Sequence, residues 1–371
     1  MFLFIATLIQ ITIILAHLLV YKAALRFLAL PSYGVFSNIF RAFFFVLPFS
    51  FLAASFMAHL NYSLFSRFFY TLAALWLGFM IYFLFAALLL YLLLALSKLR
   101  IFPFSMDSRT WGVVFFLAAF LTGCFGVANA RAIRVTRLSV ELPGAPPAWK
   151  GRKAVWVSDL HLGQILGEGF SSEIAAKITG LAPDIVFLGG DIWDGLNAPS
   201  RALIAPLARI KAPHGIYFIT GNHEEFSKAA RDEYVKIANE AGIRIMDGKK
   251  IDLDGVQLLG VGYMQSFGPK RFKAALASIG LDRTRPSILL KHSPANYDIT
   301  EDAGITLQLS GHTHHGQMFP VDLITPLVYG GYDFGYKKQR GAVFYTSSGT
   351  GTWGPPIRLG TTPEIVLIHL R

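Results

Sequence analysis

Five apolar stretches in the second half of the chain each run into a short polar cluster. Residues 153–158 lead into Asp159-Leu160-His161, and 185–188 into Gly189-Gly190-Asp191. Residues 215–220 lead into Gly221-Asn222-His223-Glu224, 287–290 into Lys291-His292, and 305–309 into Ser310-Gly311-His312-Thr313-His314. Side chains alternate with period two along an extended segment, so Asp-x-His and His-x-His each aim two ligand-type side chains the same way. Three Asp (Asp194 follows closely after Asp191), the His residues and Asn222 exceed what one tetrahedral ion needs. They suit two adjacent ions sharing a carboxylate. Mixed oxygen and nitrogen donors fit Mn, Fe, Zn, Co or Ni better than Ca or an all-thiolate site. The single Cys excludes a Cys-rich zinc site.

Such clusters must be held by a framework, and the pattern after residue 150 supplies one. Strands are expected at 153–158, 185–189, 215–220, 256–261, 287–291, 305–310, 342–347 and 364–369. Helices are expected at 170–180, 200–210, 227–241 and 270–279. Alternating strands and helices indicate an α/β domain, and ligands of open α/β sheets sit beyond the carboxyl ends of the strands. The five clusters thus converge on one pocket.

The first third is different. Apolar runs at 2–20, 42–60, 69–96 and 111–129 contain no Asp, Glu, Lys or Arg. About 20 apolar residues cross the hydrocarbon of a bilayer, so four spans are expected. The chain has 371 residues, 53% of them hydrophobic and 15% charged, which excludes disorder and a simple soluble enzyme. Its net charge of +11 lies mostly in this part. Residues 1–149 hold ten Lys and Arg against two Asp and Glu, leaving 24 against 21 beyond. The basic excess is membrane-flanking charge, and nothing argues for nucleic acid. Lys22, Arg26, Arg41, Lys98, Arg100 and Arg109 fall on one side of the spans, and Arg67, Arg131, Arg134 and Arg137 on the other. The positive-inside rule then sets the α/β domain outside. His17, His59, Gln10 and Asn61 read as structural polar groups rather than a relay. Residues 131–149 form a strand and a linker ending in Pro143-Gly144-Ala145-Pro146-Pro147.

The five ordered motifs resemble those of the calcineurin-like metallophosphoesterases over roughly residues 150–371. The tail Gly349-Thr350-Gly351-Thr352-Trp353-Gly354-Pro355-Pro356-Ile357-Arg358 is similar to that of the membrane-associated bacterial phosphodiesterase branch, where Gly often stands in place of His315. This resemblance implies a four-layer α/β/β/α sandwich behind an all-α region of four transmembrane helices. It implies that Asp159, His161 and His314 hold one divalent ion and that Asn222, His292 and His312 hold a second. Asp191 bridges both, and His223 faces the scissile phosphate as general acid or hydrogen-bond donor. Hydroxide between the ions is the implied nucleophile.

The reading is a membrane-anchored phosphodiesterase of a bacterial cell membrane. Its partners are the bilayer and a phosphoester, lipid-linked or of the envelope. Pyrophosphate hydrolysis in a nucleotide-sugar lipid and a non-catalytic sensor or scaffold are the rivals. Arg358 and His315 are expected at the substrate. Asp194 orients a ligand or caps a turn, Glu224 supports the loop around His223, and Lys291 points away from the site. The Gly/Tyr-rich stretch 329–341 with Lys337, Lys338 and Arg340 reads as a solvated basic loop.

Overall fold

A computed structural model describes residues 2–31, 33–101, 107–195 and 197–371. They fall into two compact units: 1–128 with Gly354–Ile357, and Asn129–Trp353 with Arg358–Arg371.

The first unit is helical: α1 (Phe2–Phe27), α2 (Val35–Val46), α3 (Ser50–Leu60), α4 (Leu64–Lys98) and α5 (Ser108–Ala130). Taking α2 and α3 together, four segments are long and apolar enough to cross a membrane, as expected from the runs. Pro48 interrupts α2 and α3 with a 3₁₀ turn at Leu47–Phe49. The side-chain amide of Gln10 donates to the Pro48 carbonyl at 3.0 Å, a partner that a carbonyl in hydrocarbon requires. His17, deep in α1, donates from Nδ1 to the Ile13 carbonyl at 2.8 Å and accepts from Trp76 Nε1 of α4 at 2.9 Å. That fully bonded imidazole is a tie between helices, with neither ring nitrogen left for a relay. Buried Ala23, Ala54, Ala58, Ala73, Ala74 and Ala87 allow close helix approach.

The second unit holds twelve strands in two six-stranded sheets. They are β1 (Arg134–Val140), β2 (Lys153–Val157), β3 (Ile185–Leu188), β4 (Ile216–Phe218), β5 (Arg244–Ile245), β6 (Lys249–Leu253), β7 (Val256–Val261), β8 (Ser287–Lys291), β9 (Leu307–Ser310), β10 (Gly335–Gln339), β11 (Ala342–Thr346) and β12 (Glu364–Leu370). The first sheet has the order β1-β12-β2-β3-β4-β5 and the second β10-β11-β9-β8-β7-β6. In each sheet four adjacent strands run parallel. Helices α6 (Glu168–Gly180), α7 (Ser200–Ala208), α8 (Lys228–Glu240), the single turn α9 (Tyr263–Ser266), α10 (Pro269–Ile279), α11 (Tyr297–Ala303) and the single turn α12 (Thr325–Val328) complete the domain.

Alternation along the strands separates the layers. Val155, Val157, Val186, Leu188 and Phe218 face α6, α7 and α8. The intervening Ala154, Trp156, Ile185, Phe187 and Tyr217 turn inward and meet Leu258, Ile288, Leu290, Leu307 and Leu309 of the other sheet. The outer face of the second sheet packs Leu259, Val261 and Leu289 on Phe272, Leu276 and Ile279 of α10 and Ile299 of α11. The result is an α/β/β/α sandwich.

Sequence and structure differ at the edges. Residues 335–339, expected within a loop, form β10, and β6 was not expected. Both are edge strands rich in Lys, without the apolar run of a buried strand. Residues 131–149 contribute β1, which pairs in parallel with β12 over seven residues and so belongs to the first sheet.

Phe187 lies between the sheets with no exposure, whereas Tyr336 on β10 is 48% exposed. Phe187→Ala is expected to cost about 3–5 kcal/mol and Tyr336→Ala about 0.5 kcal/mol or less. Thermal unfolding of the detergent-solubilised chain distinguishes them, with a clear fall in Tm for the first variant alone.

Candidate metal centre

The carboxyl ends of β2, β3, β8 and β9 and the turn after β4 deliver the polar clusters to one place. Reaching it demands unusual backbone. Asp159, His161, Asp191, His312 and His314 all have positive φ, between 47° and 74°. Such a conformation costs an L-residue roughly 1–2 kcal/mol and concentrates at functional sites. Glycines permit the close approaches. A Cβ on Gly221 would strike the Asp191 carboxylate, and one on Gly311 would strike Asp159 and Ser158.

Among the described residues, three overlapping groups of metal-ligand type lie here. Asp159, His161 and His314 make the first, Asp191, His292 and His312 the second, and His161, Asp194 and His223 a third. In the first, His314 Nε2 lies 3.5 Å from Asp159 Oδ1 and 3.0 Å from His161 Nε2. In the second, His292 Nε2 lies 3.2 Å from Asp191 Oδ2, 3.2 Å from His312 Nδ1 and 3.2 Å from Asn222 Oδ1. The groups meet where Asp191 Oδ2 comes within 3.9 Å of His161 Nε2 and Asp159 Oδ1 within 3.9 Å of His292 Nε2. All seven expected ligands are therefore brought together. The donors, carboxylate and amide oxygens with imidazole nitrogens, suit a borderline divalent cation.

Neighbours fix how each group presents itself. His292 Nδ1 donates to the Gly189 carbonyl at 2.8 Å, which leaves Nε2 as its lone-pair donor. His161 Nδ1 lies 3.4 Å from the Asp194 carboxylate, with the same consequence. Asp191 Oδ1 accepts from the His223 amide at 2.9 Å and Asp159 from the His312 amide at 3.0 Å. His223 donates from Nδ1 to the Asp194 carbonyl at 3.0 Å and sits between the rings of His161, 4.5 Å away, and Phe226, 5.1 Å away. Asp194 thus orients two imidazoles.

The electrostatics are those of a cation site. Burial pushes the Asp159 carboxyl up, while at Asp191 the effect of burial is outweighed by His292 and the carboxyl falls well below the ordinary range. Burial lowers His292, but Asp191 and Asp159 overcome it and raise the imidazole to about 9. His161 is likewise raised, by Asp194, Asp191 and Asp159 against burial. Burial and the neighbouring imidazoles lower His223 and His314, and His312 falls to about 3. Without a cation, the carboxylates thus draw positive charge onto His161 and His292, the charge a bound metal would supply in their place, while His312 and His314 stay neutral as ligands require.

Glu224 plays a larger part than loop support. It is wholly buried, and its carboxylate accepts four backbone N–H groups: Asp191 at 2.9 Å, Ile192 at 2.8 Å, Trp193 at 3.1 Å and Gly221 at 2.7 Å. Burial and Asp191 raise it to about 7 against the pull of those amides.

Arg358 requires a correction. Expected at the substrate, it has no exposure. Its Nη2 donates to the carbonyls of Ser348 at 2.8 Å and Gly351 at 2.7 Å, and Nε to Gly351 at 3.2 Å. It clamps the loop behind His314, with its donors used on carbonyls. His315 is half-buried and stacks on Phe334 at 4.3 Å, beside rather than within the two ligand groups. Lys291 points to the opposite face, over the Phe272 ring at 4.8 Å. The sequence did not single out Tyr263 and Tyr329, whose rings lie 5.5 Å and 6.3 Å from His312. Both come from segments without a motif.

Residues 152–316 match the calcineurin-like phosphoesterase family, and the chain carries a domain of that family. An uncharacterized metallophosphoesterase of Campylobacter jejuni is 30% identical over 243 residues, covering 64% of this chain and 63% of that one. A bovine transmembrane protein with metallophosphoesterase domain is 29% identical, covering 64% and 57%. An uncharacterized metallophosphoesterase of Aquifex aeolicus is 29% identical, covering 68% and 97%. The chain spans about 60% of the length of the first curated relatives it matches.

Glu224→Gln sets an amide NH₂ against two N–H donors, at about 1–3 kcal/mol per unsatisfied group. It is expected to lower both Tm and bound metal per chain, measured by elemental analysis, although its carboxylate belongs to neither ligand group.

Proposed function

We propose that the chain is a membrane-anchored, dinuclear-metal phosphodiesterase acting on a lipid-linked or envelope phosphoester. The observation that carries this reading is the pair of ligand groups, Asp159/His161/His314 and Asp191/His292/His312, joined at the two carboxylates. In the proposal Asn222 completes the second group and Asp191 serves both. Two bound divalent ions supply positive charge against phosphoryl oxygens and lower the pKa of water.

The chain's own residues do the rest. The Asp191 and Asp159 carboxylates are held by the His223 and His312 amides, so their remaining oxygens are fixed before substrate arrives. The bond from His223 Nδ1 to the Asp194 carbonyl leaves Nε2 for the departing oxygen; Nε2 has a proton to give only in the imidazolium form, which burial opposes and the Asp191 and Asp194 charges favour. Exposed Phe226 and Trp353 flank that imidazole and give the leaving group an apolar neighbourhood. Four segments of spanning length motivate the choice of a membrane substrate, since tethering raises its local concentration. Six Lys and Arg on one side of the spans against four on the other support an extracytoplasmic domain.

The test is hydrolysis of an aryl phosphodiester by the purified full chain with added Mn²⁺. Activity is expected in the parent and its loss on chelation. Asp191→Ala should lose about 10³-fold or more in kcat/KM, at least what one transition-state donor contributes. A folded, metal-loaded parent without activity would overturn the phosphodiesterase reading.

A further inference from the structure

Five residues beyond His314, the chain turns its apolar side chains outward. Phe319 and Val321 are each 42% exposed, Leu323 60%, Ile324 52%, Val328 68% and Leu327 83%. The one acid among them, Asp322, is tucked against Gly360, so the outward face carries no charge.

The backbone beneath is firmly held. The Phe319 amide donates to the Leu359 carbonyl at 2.9 Å, Thr325 Oγ1 donates to Asp333 Oδ2 at 3.1 Å, and the Tyr329 amide donates to the Thr325 carbonyl at 3.0 Å. The apolar face is thus presented by a fixed scaffold, at a solvation cost that an aqueous surface does not recover. Tyr329, the next residue, reaches the ring of His312. A cation stands close behind. Lys337 comes up to Gly331 and lies over the Tyr332 ring at 4.6 Å, while Arg340 on the same hairpin is 3.9 Å from both Glu301 and Asp302.

We propose that segment 319–328 inserts into the interfacial layer of a lipid bilayer, with Lys337 meeting an anionic head group. An uncharged apolar face with a cation at its border is the composition that binds at that depth. The same chain carries four segments of spanning length, so a bilayer is always at hand. A protein partner or a second copy would not call for the cationic border. If the phosphodiesterase reading holds, insertion sets the His312 side of the site at the level of lipid phosphates, and a phosphoester need not leave the membrane to reach it.

Depth-dependent quenching tests this without reference to catalysis. In a Cys124→Ser background, the full chain carrying Leu327→Cys is labelled with an environment-sensitive fluorophore. It is then reconstituted in vesicles of phosphatidylethanolamine and phosphatidylglycerol containing a shallow doxyl-labelled lipid. Quenching about threefold or more above that of a label at Lys236→Cys, on exposed α8, is expected. Equal quenching at the two positions overturns the proposal. So does shielding that follows protein density rather than lipid, which would make the face a contact between copies. In a second arm, Leu323→Glu, Leu327→Glu and Val328→Glu are combined. This variant should lower hydrolysis of a vesicle-embedded phosphodiester about tenfold while leaving a soluble aryl diester unchanged. Failure of this arm alone, with quenching intact, counts against the substrate reading and leaves insertion standing.

Discussion

The site depends on one buried carboxylate. Glu224 gathers four backbone amides from two chain segments, the turn after β3 and the turn after β4. Those segments carry Asp191 on one side and Asn222 and His223 on the other. With no solvent available, an amide lacking this acceptor would forfeit its full desolvation penalty. The relative position of the proposed shared ligand and the proposed proton donor is therefore set by a residue in neither ligand group. The four N–H groups also explain why the strained φ of Asp191 persists: the turn is held from behind as well as by the strand that feeds it.

The same logic extends to the other edge of the site. Arg358 does for the His314 loop what Glu224 does for the Asp191 turn, with the polarity reversed: a buried cation collecting carbonyls rather than a buried anion collecting amides. Both devices occur where chain leaves regular sheet. Within the sheets, the ladder satisfies backbone groups and apolar faces fix register. Beyond the last paired residue there is no ladder, and a charged side chain able to hold several partners takes its place.

What could be read from the sequence follows from this division. Parallel strands buried on both faces are continuous apolar runs, so β2, β3, β8 and β9 were visible together with the polar residues at their ends. The Lys-rich edge strands β6 and β10 were not, because edge pairing leaves no apolar signature. Asp159, His161, His312 and His314 announced themselves by spacing. Glu224 was visible only as a neighbour of His223, since accepting four amides leaves no pattern in a linear string. Arg358 misled because an Arg close to a phosphate site reads as an anion ligand until its burial is known. Segment 319–328 carries no motif and no strand or helix period in the sequence, and only the packing shows its Phe, Val, Leu and Ile side chains outside.

The charge arrangement gives the strongest reason to regard the centre as built for cations. Asp159 and Asp191 face one another's imidazole partners in a volume with almost no solvent. Like groups also face each other, as with the 3.0 Å approach of His161 Nε2 to His314 Nε2. A core selected for stability alone would replace such a cluster with apolar side chains, because buried charge rarely repays its desolvation. Here the chain instead holds five residues of ligand type in left-handed conformation and commits Glu224, Asp194 and Arg358 to the loops that carry them. Five left-handed residues, two buried carboxylates and a contact between like imidazoles coincide in this one region. Divalent cations relieve all of these electrostatic costs at once, by neutralising the carboxylates and taking the lone pairs that otherwise oppose one another.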